Sequence, residues 1–245
     1  MVLLFDLIGW YLFGTLIVLI MIIKHAVADC VTKEIAATKA IKLNIIYDTE
    51  KIDMNKWQAL QDAVSKSGAS TLWGLFGELS EPDPNGGRRS SAREQAQANA
   101  DKKPAWISSN VQVSSIRSPF RHSIFFFPDR VVVDDGNKIT SIPYSQINGA
   151  VFSVNYIEDD DIFEKSAAPI VGWTWLRCKK DGSRDLRFKN NKKIPIKLYE
   201  VLSLSDRNGF DEAIMFSMPG VASDILNAIN QYKVNFKENV IWEIA

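Results

Sequence analysis

The chain has 245 residues and carries 29 Lys and Arg against 29 Asp and Glu, a formal charge of zero. That balance excludes the global positive field by which many proteins gather nucleic acid. Two cysteines and two histidines are too few for a disulfide framework or for a zinc centre built from those residue types alone.

The N-terminus opens on an apolar run from Leu7 to Ile23, LIGWYLFGTLIVLIMII, without a charged side chain. At a helical rise of about 1.5 Å per residue it reaches roughly 26 Å, close to the thickness of a bilayer core. No Lys or Arg precedes the run, whereas Lys24, Lys33, Lys39 and Lys42 follow it. The positive-inside rule then predicts a single-pass anchor over residues 1–24 in the inner membrane, with the C-terminal part cytoplasmic. The competing reading is a cleaved secretory signal ending near Ala26-Val27-Ala28, which the missing basic n-region and the flanking Lys24 oppose.

Residues 25–80 read as a juxtamembrane helical region. Val31 to Ile46 continues a helix, and Asp53 caps a second one through Ser67, where Trp57, Leu60 and Val64 form an apolar stripe. Leu72, Trp73, Leu75, Phe76 and Leu79 follow in a crowded group. Leu72, Trp73 and Phe76 are candidate partner contacts; the alternative is that they pack on the rest of the chain. Residues 81–105 read as a flexible linker, with Pro82, Pro84, Gly86 and Gly87 and at most a short solvated helix over 92–100.

From Trp106 the pattern becomes short β-rich runs: Ser123–Phe127, Arg130–Asp134, Lys138–Ile142, Gly149–Ile157, Val171–Lys179, Ile196–Ser203 and Glu212–Ser217. Asp135-Gly136, Asp181-Gly182 and Asn208-Gly209 are the residue pairs that tight turns prefer. A closing helix places Val221, Ala222, Ile225, Leu226 and Ile229 on one face. About seven antiparallel strands and a C-terminal amphipathic helix over residues 106–234 predict a pleckstrin-homology-like barrel capped by that helix. Residues 235–245 read as a tail. The expected fold class is thus a single transmembrane helix plus an α+β soluble region that is mainly antiparallel β.

Phe127-Pro128-Asp129-Arg130, Gly172-Trp173-Thr174-Trp175, the run Asp181 to Asn191 (DGSRDLRFKNN) and Ile194-Pro195 together resemble a poorly characterised bacterial membrane-associated module with a pleckstrin-homology-like domain. The resemblance spans about Arg121 to Ser217. It implies a class of module and transfers no catalytic residue.

Two charge clusters stand out. Lys179, Lys180, Arg184, Arg187, Lys189, Lys192 and Lys193, with Arg177 and Lys197 beside them, are offset only by Asp181 and Asp185. They are the candidate contact for anionic lipid headgroups or a phosphorylated ligand, for a protein partner, or simply a solvated loop. Glu158-Asp159-Asp160-Asp161, with Glu164, lacks calcium-loop spacing and reads as a solvated loop, an intramolecular partner of the basic cluster or a partner site. Walker, nucleophile-elbow and zinc-protease motifs are missing from the sequence. His122 reads as an edge or core residue.

These readings converge on a membrane-anchored, non-catalytic interaction or sensing module with no cofactor and no metal. Its expected partners are membrane lipid and a protein; nucleic acid is not supported. The alternatives are a structural subunit of a multi-protein membrane complex and an enzyme of unfamiliar type.

Overall fold

Asp53 does start a helix. In the computed structural model its carboxylate accepts a hydrogen bond from the Lys56 amide at 3.3 Å, and α1 runs over Met54–Ser67. The structure describes residues 43–70, 72–75, 79–89, 93–99, 103–104, 106–117, 122–136, 138–158, 166–233 and 240–244. Before α1 lies strand β1 (Leu43–Tyr47), and after it come β2 (Leu72–Leu75), β3 (Arg93–Asn99), β4 (Ile107–Ser109) and β5 (Ser114–Arg117). The chain continues through β6 (Ser123–Phe126), β7 (Arg130–Asp134), β8 (Ile139–Pro143), a 3-10 turn (Tyr144–Gln146) and β9 (Asn148–Ile157). Then follow β10 (Ile170–Trp175), β11 (Lys193–Ser205), β12 (Asp211–Phe216), helix α2 (Val221–Lys233) and β13 (Val240–Ile244).

Ten strands form one sheet, ordered β10-β11-β12-β2-β3-β5-β6-β7-β8, with β9 on β11; β13, β1 and β4 form a second sheet of three. Among the described residues β1 pairs in parallel with β4 and antiparallel with β13, and the strand pairs of the larger sheet are antiparallel. The long β11 organises one end of the large sheet. Ile196–Ser205 pairs with β9, while the opposite edge pairs with β10 over Lys193–Lys197 and with β12 over Glu200–Ser205.

Alternation along the strands divides the apolar residues between two faces. Leu202, Leu204, Ile214 and Phe216 turn to the main core, shared with Ile116, Ile124, Phe126 and Val131 and with both helices. Trp73, Leu75, Tyr199, Val201 and Met215 turn to the other face, where Val154, Tyr156 and Ala168 join them. Helix α2 packs on β9, β11, β12, the 3-10 turn and α1, burying Val221, Ala222, Ile225, Ala228, Ile229 and Tyr232. Tyr232 meets Trp57 edge-on at 6.1 Å and Tyr144 at 5.6 Å.

Several expectations need correction. The pleckstrin-homology-like barrel does not form: β8 and β9 follow one another in the chain but do not pair, so no barrel closes among the described residues. The buried Tyr144 sits in the turn between them, and α2 packs against both that turn and β9. The strand tally is also larger, because segments read as helix or linker enter the sheets. Leu43–Tyr47 and Leu72–Leu75 are strands, and Arg93–Asn99, where a solvated helix was the most structure expected, pairs with β2 and β5.

The membrane placement is corrected too. Among the described residues no helix is long and apolar enough to cross a membrane. The two helices have 14 and 13 residues, about 20 Å of rise, and each exposes a polar face. A single-pass inner-membrane protein is therefore not supported. The run Leu7 to Ile23 and the Val31–Lys42 part of the first expected helix lie outside the described residues.

Candidate interaction surface

The basic segment between β10 and β11 is an ordered loop. Its tip is a tight turn at Asp181-Gly182: Gly182 has φ +81°, and the Gly182 amide donates to the Lys179 carbonyl at 3.0 Å. The Asp181 carboxylate accepts from the Ser183 amide at 3.0 Å and its hydroxyl at 2.7 Å, which holds its pKa below the usual value. Lower down, the buried Asn191 takes the Arg177 amide at 2.9 Å and donates to the carbonyls of Arg177 and Asp185 at 2.6 and 3.1 Å. Asn191 therefore closes the base of the loop from inside.

Asp185 is also buried, and Arg187 grips its carboxylate at 2.6–3.1 Å. Hydrogen bonds from the Arg187 side chain and then its amide push the Asp185 pKa down to about 2. On the other flank, the turn over residues 83–87 docks on β10. Thr174 donates to Asp83 at 2.7 Å, and Asn85 donates to Thr174 at 3.0 Å and to the Gly182 carbonyl at 3.2 Å. Asp83 also takes the amides of Asn85 and Gly87. Cys178 sits beside the same carboxylate, with Sγ 3.9 Å from Oδ2.

This scaffold presents charge and apolar surface together. Lys179, Lys180, Arg184, Arg187, Lys189, Lys192 and Lys193 are all exposed, as is Arg177. Among them stand large apolar side chains: Ile170, Val171 and Trp173 on β10, each about half exposed, and Leu186 and Phe188 on the loop. Cations lie over the rings, Lys193 over Trp173 at 5.9 Å and Arg184 over Trp175 at 5.3 Å. Arg177 and Arg187 flank Phe188 at 5.9 and 6.0 Å.

Strand β10 ends the order of the large sheet, and among the described residues no strand pairs with its outer edge. The register identifies which backbone groups face outward. Leu176 donates to the Lys192 carbonyl at 3.0 Å, so in an antiparallel ladder Thr174 bonds to Ile194, and Trp173 and Trp175 do not bond across to β11. Opposite Trp173 lies Pro195, which has no N–H and whose carbonyl accepts from Glu158 on the far edge at 3.2 Å. The peptide groups of Trp173 and Trp175 therefore point away from the sheet.

No family model, no curated protein and no solved structure matches this chain. The site must be weighed on its own geometry.

Lys197 belongs elsewhere. It lies on β11 facing the second core, buried, with Nζ 2.8 Å from Glu158 Oε2 and 2.9 Å from the Ser166 carbonyl. Tyr199 donates to the other Glu158 oxygen, and its hydroxyl lies 2.6 Å from Ser166 Oγ. Of the acidic cluster, Glu158 is thus an internal counter-charge; Asp159, Asp160, Asp161 and Glu164 lie outside the described residues.

The partner contacts expected near the second helix are placed differently. Leu72 faces the main core and Trp73 the second, both buried; Phe76 lies outside the described residues. His122 is half-buried and its Nδ1 meets the buried Glu212 carboxylate. Among the described residues, no group of three or more His, Cys, Asp or Glu side chains converges as a metal site would require.

Sequence reasoning missed Asp83 and Asn85. The run Pro82 to Gly87 carries turn chemistry, which was a signal for an ordered turn. Nothing local tells that this turn docks on Thr174, 91 residues away.

Proposed function

We propose that this protein is a non-catalytic interaction module that recognises a protein partner through β10 and the basic loop over residues 176–192. The observation that carries the reading is the apolar strand edge, half exposed, set beside a loop whose cations are held out by internal hydrogen bonds. Trp and Arg side chains in such a setting are the residue types that dominate binding energy at interfaces. Because Asn191, Asp185 and the 83–87 turn already order the loop, little conformational entropy remains to be lost on association.

The test is co-purification of the full chain, cross-linked in its native cells, in parallel with two variants. Trp173→Ala combined with Arg184→Glu should lose a stoichiometric partner, whereas Lys51→Glu, at an exposed site in a different part of the chain, should retain it. Equal recovery of the partner by all three proteins would falsify the assignment of this face.

A further inference from the structure

We propose that this face takes an acidic, extended segment of a partner protein, added as a further strand along the outer edge of β10. The inference rests on the interaction reading above and specifies its occupant. Two independent features point to it. The first is an edge with which no described strand pairs: the peptide groups of Trp173 and Trp175 face outward, offering the alternate donors and acceptors that an incoming strand needs. An exposed apolar edge of this kind is one that proteins usually cover or blunt.

The second is charge. Residues 176–193 contain eight basic and two acidic side chains. One of the two acids, Asp185, is buried against Arg187, and the other, Asp181, is engaged by Ser183. A segment with carboxylates at alternate positions turns them to the face of Trp173 and Trp175, where they meet Lys193 and Arg184, while its β-branched neighbours turn to the face of Thr174. Six residues of strand span about 20 Å, enough to follow the whole of β10.

The probe is a fluorescently labelled decapeptide alternating Glu with Val, titrated against the full chain beside its Lys–Val counterpart and a single-stranded oligothymidine. The Glu–Val peptide should bind at least tenfold more tightly than the Lys–Val peptide. It should also slow amide exchange at Trp173 and Trp175 by tenfold or more. Arg184→Glu with Lys193→Glu should weaken it at least tenfold without shifting the unfolding midpoint.

Backbone and ring are separated by two substitutions at one position. Trp173→Val and Trp173→Pro both remove the indole, but only the proline removes an outward N–H, at no loss to the ladder with β11. Trp173→Pro should bind more weakly than Trp173→Val. Peptide binding without exchange protection at Trp173 and Trp175 overturns strand addition and leaves the interaction face intact. Tighter binding of oligothymidine overturns the proposal in favour of nucleic acid. Self-association of the chain that Trp173→Pro abolishes overturns it in favour of a second copy.

Discussion

Lys197 shows how little a residue's sequence neighbours say about its surroundings. Four residues from Lys193 and part of the same basic run, it is turned by strand alternation into the second core, where Glu158, Ser166 and Tyr199 enclose it. Removing one member of a buried ion pair strands the other, a cost of about 3–5 kcal/mol. We expect Lys197→Ala to lower stability by about that much in urea unfolding, and Lys197→Met with Glu158→Gln to lower it far less. Equal losses would mean that packing, not the stranded carboxylate, sets the cost. Asp185 makes a different prediction. Its folded pKa of about 2 lies below the ordinary unfolded value, so its stabilising contribution is complete above about pH 4 and is lost as pH falls through 2. The loop fold, followed by the Arg187 side-chain NMR signal, should therefore be unchanged from pH 7 to about pH 4 and loosen only below it. Loosening near pH 6 would contradict the Asp185 anchor.

The elements differ in how they are specified. Helix α1 is written locally: an Asx cap, an apolar stripe and a basic residue in the last turn. Asp53→Ala should cost about 1 kcal/mol, read as a shift in the urea midpoint. Helix α2 is local in pattern but tertiary in worth. Ile225 is fully buried where α2 crosses the sheet, and full burial of such a side chain is worth about 1.5–3 kcal/mol before any charge is forced inside. Ile225→Asp should leave no protease-resistant fragment spanning Trp106 to Tyr232; recovery of one would show that the sheet stands without its helix. Strands β6 to β12 were legible from alternation and Asx-Gly turns, since those signals lie within a few residues, although β10 ends at Trp175, short of the expected Lys179. Strand β3 was not. Its sequence, REQAQAN, has no β-branched residue and reads as solvated; it is a strand because β2 and β5 offer it partners on both edges.

For the molecule, the main consequence is cooperativity. The main core draws side chains from β1, α1, β2 to β8, β11, β12 and α2, and Ser70 ties the end of α1 to the start of α2 by accepting from Ser217 and Met218 at 2.9 and 3.2 Å. Thermal unfolding followed by far-UV circular dichroism and by Trp fluorescence should thus coincide in one transition. Two separated transitions would divide the core. Composition and pattern alone determined the balanced charge, the β-rich character of the C-terminal half, both helices with their caps or apolar faces, and the concentration of cations before Ile194. Those properties are carried by residues within a turn or two of one another. Tertiary structure decided that a linker-like segment becomes a strand, that Lys197 is internal and, among the described residues, that no strand bridges β8 and β9 and none pairs with the outer edge of β10. Each of these depends on which strands become neighbours, and pairing beyond a local hairpin, β3 with β2 and β5 or β2 with β12, leaves no periodic trace along the chain.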